Sequence, residues 1–405
     1  MLVATTRNFK RVSLVEQIWS RDVLRRIDKH FGFYCPVCLA PVRLKTGEKR
    51  QWHFAHQPKH SCLIDNERET PVHLRGKKDL FDWCVHAGRL PQLEYYLPLL
   101  RQRPDLYLPG IDPAVIEYQC STIPEHKLKA RTHGYLSAHI KPVWLIGPEH
   151  HHRLGSAIRL TGFVSAAICR TAVSSASHPF ASPYYICFYH PSAKQIYYAL
   201  HLVPQSKTYF ISQERSFALA DCCPYQLLHP PQNFVPEHFK QSWLTMKKRK
   251  RLEVSTRLSR EEHRLREQVY QLQRYFACFP PHIGLPHPSY IHFLNPPVLW
   301  QMWLYLLIGV IYSEYGLSPR QIIKITTHRG METLFEQRCL PLCEAMDAEQ
   351  LISIYLEQLV HLRVAERVGG CFRIIPHQHP WENISVSALL KEDRAVLERL
   401  ESLNV

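Results

Sequence analysis

The sequence lacks any apolar stretch long enough to cross a membrane. Its most apolar run, residues 298–312, falls short of the roughly 20 residues that a spanning helix needs. The run follows Pro296-Pro297, and its length and flanks are typical of a buried core helix. The N-terminus also lacks the continuous apolar core of a signal peptide, because Arg7 and Lys10 interrupt it early. We therefore expect a cytoplasmic protein without a membrane span.

Acidic residues are scarce, with 35 Asp and Glu against 50 Lys and Arg, which gives a formal charge of +15. A basic chain favours polyanionic partners, because Lys and Arg displace counterions from phosphates. Charge alone does not distinguish DNA from RNA or an acidic membrane surface. Hydrophobic residues make up 45% of the chain, which excludes a disordered protein. The 13 cysteines are scattered and odd in number, which argues against a disulfide scaffold and fits a reducing cytoplasm.

Neither an internal repeat nor a long low-complexity segment is present, so shifts in composition are the guide to domains. The fold class that we predict is α/β, in a multi-domain α+β arrangement. The predicted regions are a basic Cys/His module (1–66), a mixed core (67–150), a β-rich region (155–245), a basic helical linker (246–278) and a mostly helical C-terminal domain (279–405).

A cluster of cysteines and histidines has the spacing of a metal site. The pattern C-x2-C-x14-H-x2-H offers two thiolates on a tight turn and two imidazoles to complete a tetrahedral zinc shell. Four protein ligands leave no open position, so this zinc would be structural. The alternative is a pair of reduced cysteines beside a His-rich loop. The predicted ligands are Cys35, Cys38, His53 and His56, with His60 and Cys62 close enough to replace one of them.

The mixed core reads as a helix, three short strands, a second helix and a fourth strand. The helix begins at Thr70-Pro71, because threonine is an acceptable cap and proline fits the first helical position. A helix between the last two strands allows a parallel crossover, so we expect a mixed sheet. The strands are predicted at 93–97, 102–108, 114–120 and 141–147, and the second helix at 124–139.

Two acidic residues in this core are candidates for a second metal site. Asp105 begins one strand, and the next strand carries Glu117 and Gln119 on one face because side chains alternate. Carboxylates on adjacent strands can share Mg²⁺ or Mn²⁺, which polarises a phosphodiester and lowers the pKa of an attacking water. The alternative is an ordinary Pro-Asp turn beside a solvent-facing strand glutamate.

Short motifs lie in order along the first 150 residues, at 33–38, 53–56, 69–77, 103–105, 116–121, 131–135 and 143–146. In combination they resemble the competence protein CoiA family of bacteria, whose core is similar to a restriction-endonuclease-like PD-(D/E)XK nuclease. The resemblance implies such a core behind an N-terminal zinc knuckle. It also implies a role in natural transformation, in which imported single-stranded or branched DNA is processed or bound during recombination. A RecA-type recombinase is the partner that this pathway suggests.

The resemblance assigns metal-binding roles to several residues of the core. Asp105 and Glu117 look like the Mg²⁺ or Mn²⁺ ligands, with the carbonyl of Tyr118 as a third. Gln119 stands where the wider superfamily usually has lysine, and glutamine supplies no positive charge. Three further residues are implied around the metal: Lys77 as the source of the missing charge, Glu69 as a candidate metal contact from the start of the first predicted helix of the core, and Glu94 as a second acidic residue beside the site.

Residues on both predicted helices are implied as DNA contacts. These are His73 on the first helix and the pair Arg131 and Tyr135, one turn apart, on the second. For each of them, and for Lys77 and Glu69, the alternative is a helix surface or packing role.

The densest run of positive charge follows the β-rich region. Each Lys or Arg in it can neutralise one phosphate of DNA, and the alternative is the solvated start of a linker helix. Further on, residues 363–374 alternate around Gly369-Gly370, as a two-residue hairpin does, after helices near 319–327 and 348–362. This order suggests a winged-helix-like module that binds either DNA or a protein partner. The basic run consists of Lys247, Lys248, Arg249, Lys250 and Arg251.

Three functions are compatible with these features. The first is a metal-dependent DNA nuclease, carried by Asp105, Glu117 and Gln119. The second is a non-catalytic DNA-binding recombination adaptor that keeps the nuclease shape without turnover. The third is a zinc-ribbon regulator that binds protein or RNA.

Overall fold

The computed structural model describes residues 1–48, 51–57, 62, 69–171, 178–231, 233–252, 258–375, 381 and 385–402. Its N-terminal module is a small unit of four strands and one helix. The strands form two antiparallel pairs, β1 with β2 and β3 with β4, and the helix α1 is capped by Ser20. The elements are β1 (Val3–Thr5), β2 (Arg11–Ser13), α1 (Arg21–Phe31), β3 (Val42–Lys45) and β4 (His53–His56).

The mixed core has the predicted order of elements. Thr70 caps the first helix, since its hydroxyl accepts the His73 N–H. The predicted strand at 93–97 is shorter than expected, and Asp105 lies directly before its strand. The elements are α2 (Pro71–His86), β5 (Gln92–Leu93), β6 (Leu106–Leu108), β7 (Ala114–Gln119), α3 (Glu125–Ser137) and β8 (Lys141–Ile146).

The β-rich region continues the same sheet and is not a separate domain. The added elements are β9 (His152–Leu154), β10 (Ala157–Arg159), α4 (Phe163–Ala166), β11 (Cys169–Arg170), β12 (Tyr184–His190), β13 (Gln195–Pro204) and β14 (Tyr209–Ala218). Strand β8 pairs in parallel with β12, which corrects the predicted boundary between 150 and 155. The ten-stranded sheet has the order β5-β6-β7-β8-β12-β13-β14-β10-β9, with β11 paired to β12.

The sheet is mixed, as predicted, and is buried on both faces. Strand β7 runs parallel to β8 and antiparallel to β6. Alternate side chains of the central strands enter different cores: Tyr118 packs with Trp83 of α2, whereas Trp144 packs with Leu128 of α3. Helix α2 approaches the sheet so closely at Gly76 that a Cβ atom there would lie 2.1 Å from the Tyr118 ring. This close contact fixes α2 over β7.

The C-terminal region is mainly helical around its own large core. The apolar run near residue 300 is a buried helix, as predicted, and ends in a π-helical turn at Leu307–Ile311. Among the described residues, no helix is both long and apolar enough to span a membrane. The elements are α5 (Pro236–Leu252), α6 (Arg260–Gln271), α7 (Pro297–Leu306), α8 (Pro319–His328), α9 (Ala348–His361), β15 (Ala365–Val368), β16 (Cys371–Ile374) and α10 (Val386–Ser402).

Candidate active site and metal centre

The structure brings together the two carboxylates predicted from the sequence. Asp105 directly precedes β6, which pairs with β7 so that Leu106 faces Ile116. Just before the start of β6, the Tyr118 N–H donates to the Asp105 carboxylate at 2.9 Å. The Glu117 carboxylate in turn accepts the backbone N–H of Asp105. Because β6 begins only at Leu106, the β7 backbone opposite Asp105 is available to the site.

Glu117 is held from the second helix of the core. Glu117 is 2% exposed, and its carboxylate accepts hydrogen bonds from Arg131 and Tyr135, both on α3. Burial raises the pKa of Glu117 to about 7, although the Arg131 guanidinium opposes the shift. The pKa of this carboxyl group therefore lies near neutral pH, well above that of an ordinary glutamate.

Arg131 and Tyr135 were predicted to face DNA, and the structure places them inward. The Tyr135 side chain is fully buried, so a DNA contact through its hydroxyl is wrong. Arg131 is partly exposed, but its guanidinium forms an ion pair with Glu117. The same guanidinium lies over the Trp144 ring, 5.4 Å from the ring centroid. Both residues therefore position Glu117.

Lys77 is the positive charge of the site. Its ammonium is 1% exposed, donates to Glu69 and Glu94, and lies 3.6 Å from the Asp105 carboxylate. Burial acts to lower the pKa of Lys77, but the surrounding carboxylates more than offset this and raise it well above its ordinary value. The cation predicted from α2 is thus within the carboxylate cluster, together with the predicted Glu69 and Glu94.

The pKa of Asp105 is shifted in the opposite direction to that of Glu117. Burial alone would raise the pKa of Asp105, but His73 and Lys77, with hydrogen bonds from His73 and the Tyr118 amide, hold it well below its ordinary range. The His73 ring nitrogen Nε2 lies 3.2 Å from the Asp105 carboxylate, and both side chains are partly exposed. His73 therefore lies where the site opens towards solvent.

Gln119 has a local structural role. Its amide nitrogen donates to the Ser121 carbonyl at 2.8 Å and to the Ser121 hydroxyl at 3.1 Å. These bonds hold the turn that follows β7. The side chain is buried and adds no charge to the site.

The donor atoms fit a hard divalent cation. Asp105 and Glu117 supply carboxylate oxygens, and Mg²⁺ and Mn²⁺ prefer oxygen ligands. In a strand the N–H and C=O of one residue point to the same side, so the Tyr118 carbonyl faces the same side as its amide, towards Asp105. These three residues are the ones that would hold such an ion.

The N-terminal module contains a Cys/His cluster that can bind zinc, with one ligand different from the prediction. The ligand atoms of Cys35, Cys38, His56 and Cys62 all lie within 4.8 Å of one another, and Cys38 Sγ is 3.4 Å from His56 Nε2. His53 is wrong as a ligand, because residues three apart on a strand point to opposite faces. Its ring instead contacts the Gln51 carbonyl at 2.9 Å. His60, the other alternative, lies outside the described residues.

Arg103 is a residue of the site that the sequence analysis did not assign. Burial lowers the pKa of Arg103, and the negative charges of Cys35, Asp105 and Cys62 oppose this shift. The sequence feature that could have indicated a role for Arg103 is its position two residues before Asp105, with Pro104 between them.

The basic run of α5 is mostly structural, which corrects its prediction as a DNA contact. Lys247 and Arg251 are buried and both pair with Asp393 of α10. Lys250 pairs with Glu262. Lys247 and Arg251 are four residues apart on α5, so both lie on the helix face that packs against the protein. Lys248 and Arg249 are the exposed members of the run.

Comparisons with known proteins agree along the chain. Three family models match: the N-terminal domain of competence protein CoiA at residues 16–65, its nuclease-like domain at 69–232 and its C-terminal domain at 239–370. The match to the nuclease-like domain extends across residues 150–155, where the sequence had predicted a domain boundary and where the structure shows one continuous sheet. A competence protein CoiA from Bacillus subtilis (strain 168) is 29% identical over 285 residues, covering 69% of this chain and 73% of that protein. No solved structure matches the chain. The chain therefore belongs to the competence protein CoiA family and carries its nuclease-like domain.

Proposed function

We propose that the protein is a metal-dependent DNA nuclease that processes imported single-stranded or branched DNA during natural transformation. The observation that carries the proposal is the meeting of Asp105 and Glu117 at the start of β6, with Lys77 3.6 Å from Asp105. A carboxylate pair beside one buried cation is the donor set that phosphodiester hydrolysis requires. The proposed place of action is the cytoplasm, with a RecA-type recombinase as a partner.

The residues of the chain have separate tasks in this mechanism. A bound Mg²⁺ or Mn²⁺ would polarise the scissile phosphate and activate water. Arg131 and Tyr135 hold the Glu117 carboxylate in place, and Lys77 stabilises negative charge that develops on the phosphate beside Asp105. His73, at the opening of the site, is placed to contact the phosphate or to transfer a proton.

A nuclease assay tests the proposal. Labelled single-stranded, duplex and branched DNA are incubated with the full chain and Mg²⁺ or Mn²⁺, and with its Asp105→Asn and Glu117→Gln variants. We expect cleavage by the parent chain and loss of at least about a hundredfold in each variant. Equal cleavage by the parent and both variants would assign the activity to a contaminant and reject the proposal.

A non-catalytic DNA-binding adaptor is the second candidate function. It is favoured by the uncharged Gln119 in the usual lysine position and by the Glu117 carboxylate, which already accepts hydrogen bonds from Arg131 and Tyr135 and has a raised pKa. This function predicts salt-sensitive DNA binding, and transformation, that survive Glu117→Gln. Absence of DNA binding at low salt would instead favour the zinc-ribbon regulator of protein or RNA.

A further inference from the structure

Glu94 connects the N-terminal module to the carboxylate site. Its side chain is almost fully buried, and its backbone adopts φ 49°, a left-handed conformation that is uncommon for a residue with a side chain. The backbone N–H of Glu94 donates to the Asp105 carbonyl at 2.9 Å, and its carboxylate accepts from Lys77. Glu94 is therefore bonded to two members of the candidate active site.

The same carboxylate is bonded to the N-terminal strand. The Leu2 N–H lies 2.9 and 3.0 Å from its two oxygens, and the Val3 N–H lies 3.2 Å from one of them. Residues 2 and 3 are in turn linked to the Cys/His module, because the Phe54 N–H donates to the Met1 carbonyl at 2.8 Å. Phe54 lies on β4, two residues before the zinc-cluster residue His56. A continuous series of hydrogen bonds therefore runs from β4 to Asp105.

We propose that Glu94 is a positioning residue through which zinc bound by the Cys/His cluster holds Asp105 and Lys77 in their places. The structural coupling is independent of catalysis, whereas its consequence for cleavage rests on the proposed function. Removal of zinc releases β4, then the strand at residues 2–3, and then the segment from Glu94 to Asp105. Mn²⁺ binding at the carboxylate site weakens as a result.

Hydrogen exchange of the full chain, with and without zinc, tests the coupling directly. Zinc is removed with a chelator, and its loss is quantified by metal analysis. We expect faster exchange in the segments at 92–106 and 114–120, which contain the Glu94 and Tyr118 amides. The segment at 348–361, helix α9 of the C-terminal core, is the internal reference and keeps its protection. Unchanged exchange at 92–106 after full zinc loss would overturn the proposal.

A matched pair of variants separates Glu94 from general docking of the module. Glu16→Gln alters a carboxylate that also crosses this interface, at 3.4 Å from the Leu93 N–H, but does not touch Lys77 or Asp105. Glu94→Gln is expected to keep its zinc content and to weaken Mn²⁺ binding, followed by electron paramagnetic resonance, by about 10-fold or more. Its Mn²⁺ affinity no longer responds to zinc removal, whereas Glu16→Gln behaves like the parent chain.

The outcomes of these experiments are distinct. Equal Mn²⁺ affinity in Glu94→Gln and the parent chain, or equal weakening in Glu16→Gln, would overturn the role of Glu94. If zinc removal and Glu94→Gln act as expected but no DNA is cleaved, the positioning role stands and the nuclease function fails.

Discussion

At the scale of single residues, the positive charge beside the carboxylates of the proposed site comes from a helix and not from strand β7. Gln119 of β7 donates to Ser121, whereas Lys77 reaches the carboxylates from α2. The resemblance to the CoiA family implied this role for Lys77, because a lysine on the adjacent helix can supply the charge that glutamine lacks. It could not predict that Lys77 would be bonded to Glu69 and Glu94 at once, since both contacts depend on how α2 packs.

Lys77→Met is expected to destabilise the protein strongly. The substitution leaves the buried Glu94 and the partly buried Glu69 and Asp105 without their shared cation, at a cost of about 3–5 kcal/mol in the free energy of unfolding. Urea denaturation measures this change. The neighbouring Lys78→Met is the control, because Lys78 forms a surface pair with Asp82 worth about 0.5 kcal/mol. Similar losses in both variants would contradict a buried ionic cluster.

Glu117 should make metal binding depend on pH near neutrality. Its pKa in the folded protein is raised to about 7, so a proton competes with the metal below that pH. We expect Mn²⁺ affinity to fall by up to about tenfold per pH unit below 7 and to level off above it. Titrations between pH 5.5 and 8.5 measure this dependence, and a constant affinity across that range would contradict it.

The raised pKa of Glu117 also determines how the stability of the metal-free protein changes with pH. A raised carboxyl pKa means that the folded state binds the proton more tightly than the unfolded state does. The contribution of Glu117 to the free energy of unfolding is therefore complete below pH 4.5 and is lost as the pH rises through about 7. Added Mn²⁺ should offset that loss at pH 8.

At the scale of elements, the close contact between α2 and β7 places Lys77 beside the strand carboxylates. Gly76→Ala should destabilise the protein, although alanine favours a helix, because the new Cβ would meet the rigid Tyr118 ring at 2.1 Å. We expect a loss of about 1–3 kcal/mol by urea denaturation. Gly134→Ala in α3 is the control, since its Cβ would meet the movable Gln102 amide. A more stable Gly76→Ala variant would show that α2 does not approach β7 this closely.

The strand β4 decides which residues of the N-terminal module can bind zinc. Cys62→Ala should lose zinc, whereas His53→Ala should retain one equivalent, because His53 faces away from the cluster. Metal analysis of the purified variants measures both outcomes. Retention of zinc in Cys62→Ala together with its loss in His53→Ala would restore the ligand set predicted from the sequence.

At the scale of the whole molecule, the sequence predicted local elements better than their connections. The order of helices and strands in the core follows from caps and alternation, and Gly369-Gly370 predicts the hairpin of β15 and β16. The continuation of the sheet from β8 to β12 was missed, because a pairing between distant strands leaves no local signal. The same limit applies to Asp393, whose contact with α5 spans 142 residues.

The burial of the basic run changes how the charge of the molecule should be tested. Lys247 and Arg251 join α5 to α10 through Asp393, so Asp393→Ala should lower stability by about 3–5 kcal/mol.

Lys248 and Arg249 are the exposed members of the basic run. Their double replacement by alanine should cost less stability than Asp393→Ala and reduce the slope of log K against log salt by about 1.4 for single-stranded DNA. Fluorescence anisotropy at several salt concentrations measures that slope. An unchanged slope would assign the contacts with DNA to other parts of the +15 chain.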